Sequence, residues 1–352
     1  MVEEDQYTDQ SIWVSNLVEY PQSVLPLSTV PAALISIGLI PYILTAVFFT
    51  LTEGPNEIYI ISVQTLAATI AVVGPILIWH YDESVFPRFI NEVDDVIKDR
   101  DTLIEVVDKY ERFFVKKYWI ITVLWTLLII TALIGNVGFF KSIGVSGYFD
   151  LAFLIYIVFA TWWSIITGIG LHGALTTILC VRAVGNLELV IDPLHHDGLG
   201  GLSTIGYFSI RATIMNSIGS FVLPLAFSIA SNGQYKILVY IAVGGYISFI
   251  LATFVYPTYY VNRRAQEVRD EILKEKRTQI HQLKQDMSFG SSDGDLSELE
   301  TQLKIRTLRD DFNQYQSVNL YPLSVSILTQ LGSSILLPIL FLLLETYIFS
   351  GA

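Results

Sequence analysis

The stretch FDLAFLIYIVFATWWSIITGIGLHGALTTILCV, residues 149–181, decides the fold. Between Asp150 and Arg182 it holds no Asp, Glu, Lys or Arg. A helix needs about 20 such residues to cross about 30 Å of hydrocarbon, so this run reads as a membrane span. Comparable runs occur at about 24–51, 57–80, 118–140, 206–231, 236–260 and 321–349. The expected fold is therefore all-α: a polytopic membrane protein of about seven spans.

Composition agrees. The 352 residues are 52% hydrophobic and only 15% charged, against roughly a quarter charged in soluble domains, and mean hydropathy is +0.53. A net charge of −12 argues against nucleic acid, whose phosphates need a basic face. The acidity suits a salt-loving prokaryote. A single cysteine, Cys180, excludes an intrachain disulfide framework and a zinc ribbon. The N-terminus MVEEDQYTDQ is acidic where a signal peptide is basic, so the first span is expected to act as its own targeting signal in the cell membrane.

Orientation follows from loop charge. The connections TEGPNE, KSIGVSGYFD and SNGQYK carry almost no Lys or Arg, whereas the others hold Arg88, Lys98, Arg100, Lys109, Arg112, Lys116, Lys117, Arg182, Arg263, Arg264 and Arg269. The positive-inside rule then puts the N-terminus in the cytoplasm and the C-terminus outside. The chain divides into a cytoplasmic tail (1–23), spans one and two (24–80), a cytoplasmic amphipathic helical segment (81–117), and spans three and four (118–181). A cytoplasmic loop (182–205), spans five and six (206–260), a cytoplasmic helical hairpin (261–320), and span seven with a short outer tail (321–352) complete it.

In the 81–117 segment Ile90, Val93, Ile97, Ile104, Val107 and Phe114 recur at helical spacing. The hairpin arms carry thin apolar stripes, Val268, Ile272, Ile280 and Leu283 on one and Leu299, Leu303 and Leu308 on the other. These stripes either pack on each other or meet neighbouring subunits. Pro257 is expected to kink the helix that leaves span six.

Chemistry concentrates in IDPLHHDGLGG, residues 191–201. Asp192, His195, His196 and Asp197 offer metal ligands, but adjacent histidines lack zinc-motif spacing. Gly198, Gly200 and Gly201 precede a helix and would offer backbone N–H groups to a phosphate. Arg182 and Arg211 flank the loop, within reach of its aspartates or a lipid headgroup. A plain reading is that Pro193 and the glycines simply reverse the chain. Catalysis is disfavoured because no paired carboxylates on a helix, nucleophile elbow, HExxH or Walker loop appears, and the sequence leaves any cofactor open.

Within span four, His172 is an intramembrane histidine, a candidate for a pore, proton relay or ligand contact, or else a neutral imidazole bonded to a neighbouring helix. In span seven Ser326, Gln330, Ser333, Ser334, Leu337, Phe341 and Glu345 share one broad stripe, polar, then apolar, then acidic. Such a face would line a path with an apolar constriction and an outer ring favouring cations. The competing reading makes the serines packing residues. Trp162 and Trp163 lie in the outer half of span four, and Trp13, Tyr20, Trp79, Tyr81, Tyr118 and Trp119 cluster near inner boundaries; most are expected as interfacial anchors, the alternative being a ligand-binding aromatic pocket in the outer half.

Two resemblances bear on this. His195, His196, Asp197, Gly198, Leu199, Gly200, Gly201 and Leu202 resemble an HPDxxGGL sequence of uncharacterised prokaryotic multi-span membrane proteins, with histidine in place of proline. The layout, with an inside N-terminus, short outer loops, a helical cytoplasmic region and a final span with almost no tail, resembles the seven-transmembrane ion channel superfamily of insect odorant and gustatory receptors. That resemblance implies a tetramer in a lipid membrane, the last span lining the pore and cytoplasmic helices joining subunits. The expectation is a homo-oligomeric ion channel. Alternatives are a membrane enzyme or lipid-handling protein using the His195 loop, and a sensor relaying to a soluble partner.

Overall fold

The computed structural model describes residues 11–52, 58–195, 200–231, 235–289 and 295–318. Twelve α-helices appear among them: α1 Trp13–Val24, α2 Thr29–Ser36, α3 Leu39–Leu51, α4 Ile58–His80, α5 Phe86–Val93, α6 Arg100–Gly135, α7 Val137–Ser142, α8 Leu151–Val184, α9 Ser203–Ser217, α10 Leu223–Ser231, α11 Lys236–Phe289 and α12 Asp295–Ser317. No strand forms among the described residues. Six helical stretches are long and apolar enough to cross a membrane: Thr29–Leu51, Ile60–Val96, Arg100–Gly135, Leu151–Val184, Ser203–Ala230 and Lys236–Asp286. The chain is a multi-pass helical membrane protein. Residues 321–349, expected as a seventh span, lie outside the described residues, and with them Ser326, Gln330, Ser333, Ser334, Leu337, Phe341 and Glu345.

The quoted stretch is the centre of the bundle. Asp150 starts α8 by accepting the Ala152 N–H (2.9 Å), a donor that a helix start leaves open, and it also takes the Ser146 N–H of the preceding loop (2.6 Å). Small residues then let neighbours close in. A Cβ on Gly168 would come within 2.8 Å of the Thr122 Cα, and one on Gly74 within 2.5 Å of the Ile166 side chain. Two indoles fasten the contact: Trp125 donates to Thr167 Oγ1 (2.9 Å) and Trp162 to the Ala71 carbonyl (3.2 Å).

Several boundaries differ from the sequence expectation, each for a local reason. The expected tail contains α1, because Asp82 accepts from the Ile12 N–H (3.0 Å) and Ser15 Oγ (2.7 Å), and Trp79 donates to Glu19 (2.9 Å). Span one is interrupted between α2 and α3 at Gly38, where a side chain would meet Val72. The 81–117 segment is not one helix. A π-turn at Tyr81–Val85, α5 and a 3₁₀ turn at Asp94–Val96 end at Ile97, and α6 then runs unbroken into span three. Ile90, Val93, Ile97, Val107 and Phe114 are buried as expected, whereas Leu103 is buried where Ile104 is only partly so.

Pro257 sits inside α11, which continues as one helix of 54 residues, about 80 Å at 1.5 Å per residue. Towards its C-terminal end α11 pairs with α12, joined by Lys276 Nζ–Asp311 at 2.8 Å. Ile305 is buried and Leu308 half-buried, while Leu299 and Leu303 are 54% and 63% exposed.

Candidate functional site

The loop after α8 is built as a clasp on the hairpin side. Val190 N–H donates to Val96 O (2.8 Å) and Lys98 N–H to Glu188 O (3.1 Å), around an antiparallel bridge between Ile97 and Leu189. This pairing explains why the segment breaks at Ile97: the Val96 carbonyl and the Lys98 N–H on either side of it are used across the loop and not along a helix. A Lys98–Glu188 ion pair at 2.7 Å lies outside. Tyr260 of α11 donates its hydroxyl to Asn186 Oδ1.

Next, the motif turns. Asp192 accepts from the Leu194 N–H (2.9 Å) with its carboxylate, and its carbonyl accepts from the His195 N–H (3.1 Å). Asp192 is thereby occupied as a turn former. Gly200 and Gly201 have φ of 70° and 91°, values that L side chains strain to reach. A Cβ on Gly200 would also lie 2.7 Å from Ile191 Cγ2. His196, Asp197 and Gly198 lie outside the described residues. Arg182 is exposed in the last turn of α8, and Arg211 is half-buried within α9. Among the described residues no group of three or more His, Cys, Asp or Glu is placed to hold a metal ion.

The clasp closes over apolar residues from distant parts of the chain. Val93, Val96, Ile97, Leu189, Ile191, Leu202, Ile205 and Val318 belong to one buried cluster. Val318 is the last described residue before the C-terminal apolar segment, and its Cγ1 is 3.4 Å from where a Gly200 Cβ would stand.

Directly above, aromatic rings surround His172. The imidazole is 1% exposed, with Nε2 3.0 Å from the Phe113 carbonyl. Since a carbonyl only accepts, Nε2 carries the proton and Nδ1 is a buried acceptor without a donor. The ring lies nearly parallel to Phe114 and tilted against Phe113. Tyr81 shares a 2.8 Å hydrogen bond with Thr177 and is 6% exposed. Tyr81 is thus a core residue and not an interfacial anchor. The π-turn that starts there aims Asp82 at α1, an irregularity that a uniformly helical reading of the sequence passes over.

In mid-bundle the fifth span is broken. α9 ends at Ser217, a 3₁₀ turn covers Ile218–Val222, and α10 restarts at Leu223 ahead of Pro224, whose missing N–H prevents an unbroken ladder. The Asn216 carbonyl, near the break, accepts the Tyr246 hydroxyl from α11. Two voids flank this break, of about 100 and 80 Å³, and share Trp163, Thr167, Gly219 and Tyr246 as walls.

Fold and site together define a multi-pass helical membrane protein with a clasp on one side and a broken span inside. No protein-family model, curated protein or solved structure matches the chain.

Proposed function

We propose that the protein is a homo-oligomeric ion channel of the cell membrane, in which the C-terminal apolar segment lines the path and the clasp sets its position. The observation that carries this reading is Val318. In one buried cluster with Ile191, Leu202 and Ile205, it couples the residues just before that segment to the loop and the fifth span. A shift in the clasp or hairpin is then passed to the segment, because a close-packed contact transmits displacement and does not absorb it.

In this reading the Ser326, Gln330, Ser333 and Ser334 face is wet, Leu337 and Phe341 form the constriction, and Glu345 is the outer cation-attracting ring. The exposed Leu299 and Leu303 support assembly of several copies, a tetramer as the working number, through the hairpins on the cytoplasmic side.

Purified protein in planar bilayers is expected to give discrete conductance steps, and Glu345→Gln to weaken cation preference. A silent bilayer across voltage and pH overturns the channel reading, and an unmoved reversal potential removes Glu345 from the filter.

A further inference from the structure

The smaller void beside the break in the fifth span, about 80 Å³, has a mostly hydrocarbon wall to which Ile70, Leu77, Ile78, Ile166, Ile169 and Met215 contribute. Leu77, Met215 and Asn216 in that wall are only half-buried, so the void is not sealed. One polar atom stands apart in it. The Asn216 side-chain nitrogen donates to the Ala212 carbonyl (2.8 Å), which fixes the amide and turns its oxygen away from that carbonyl. The oxygen lies 3.3 Å from where a Gly170 Cβ would stand, in space left by the missing side chain, and Gly170 is itself part of the wall.

Three other polar side chains of the wall are committed within the protein. Thr167 receives the Trp125 N–H and donates to the Trp163 carbonyl, Tyr81 shares a hydrogen bond with Thr177, and Tyr246 donates to the Asn216 backbone carbonyl. The Asn216 amide oxygen takes no hydrogen bond from the described residues. An acceptor held against hydrocarbon gains when a donor reaches it. Water fits poorly, since a buried water wants about 2–4 polar partners and finds one here, whereas a dry engineered cavity of about 150 Å³ takes up benzene. Every residue of the wall belongs to a membrane-crossing stretch, so the molecules that meet the void are those dissolved in the bilayer.

We propose that this void is a binding site for a compact apolar alcohol, whose hydroxyl donates to the Asn216 side-chain oxygen while its hydrocarbon body lies against Ile166, Ile169 and Met215. Gly170 is the opening that keeps the oxygen accessible.

The test uses the full chain in lipid nanodiscs, with asparagine carrying ¹³C at the side-chain carbonyl, and Asn216→Leu identifies the signal in question. The probes are cyclopentanol and cyclopentanone, alike in ring and size, of which only the alcohol has a donor. They are compared at equal concentration in the membrane phase, with affinity read by saturation-transfer NMR against empty nanodiscs. Cyclopentanol is expected to shift the Asn216 signal saturably and to bind about fivefold tighter than the ketone, the worth of one hydrogen bond. That preference vanishes in Asn216→Leu, and also in Gly170→Ala, whose methyl covers the oxygen. An Asn216 signal unmoved at probe saturation, equal affinity for the two probes, or a preference that survives either substitution overturns the proposal. Should Asn216→Leu fail to fold, the two probes on the unaltered protein and on Gly170→Ala decide.

Discussion

Asp150 shows what one side chain does for a span. Its carboxyl is held below the usual carboxylate range by the Ser146 and Ala152 N–H groups, which favour the charged form. A lowered folded value means that its contribution is present above the unfolded value near 4 and is lost as pH falls through the folded one. Asp150→Ala should therefore cost about 1 kcal/mol of stability at neutral pH, read as a lower melting temperature in detergent. The variant should also show less loss than the unaltered protein between neutral pH and strong acid. At Gly200, substitution by alanine meets both a left-handed backbone and Ile191, and a cost of about 1–2 kcal/mol is expected from the backbone alone. Gly147→Ala, with nothing within 4 Å of its Cβ, is the matched control and should be close to neutral. An intramembrane His172 was legible in the sequence. Its place against Phe113 and Phe114 was not, because those rings come from another helix.

Elements succeed or fail by what crosses between them. Leu189 is 4% exposed within the clasp, so Leu189→Ala should cost about 2–5 kcal/mol. Lys98→Ala removes only an exposed ion pair and should stay within about 1 kcal/mol. Chemical unfolding of the two variants separates packing from surface charge. The spans were readable because apolar runs of this length have few other uses. Their interruptions were harder to see. The break at Ile218–Val222 lies in wholly uncharged sequence, and only Gly219 and Pro224 mark it. Likewise the split between α5 and α6 depends on a partner, Leu189, about ninety residues away. In the hairpin, Leu299 and Leu303 of the expected α12 stripe are exposed and Leu308 is half-buried, while Ile305, outside that stripe, is buried; helical spacing alone left the partner of each undecided.

Across the whole molecule, one buried cluster joins residues of five of the six apolar helices to the loop after α8 and to Val318. If the channel reading holds, Val318→Asn should alter the fraction of time spent open while leaving single-channel conductance unchanged, because Val318 sits outside the path; recordings that show altered conductance instead would place it in the path. Composition made the membrane assignment legible, whereas the clasp joins backbone groups from separate segments and leaves no periodic trace in sequence. The anchoring of α1 carries a further implication for biosynthesis. Ile12 and Ser15 leave the ribosome some seventy residues before Asp82, the carboxylate that holds them. The first helix therefore cannot complete these hydrogen bonds until the second apolar helix has been made, and Asp82→Ala should leave it protease-sensitive in an otherwise inserted chain.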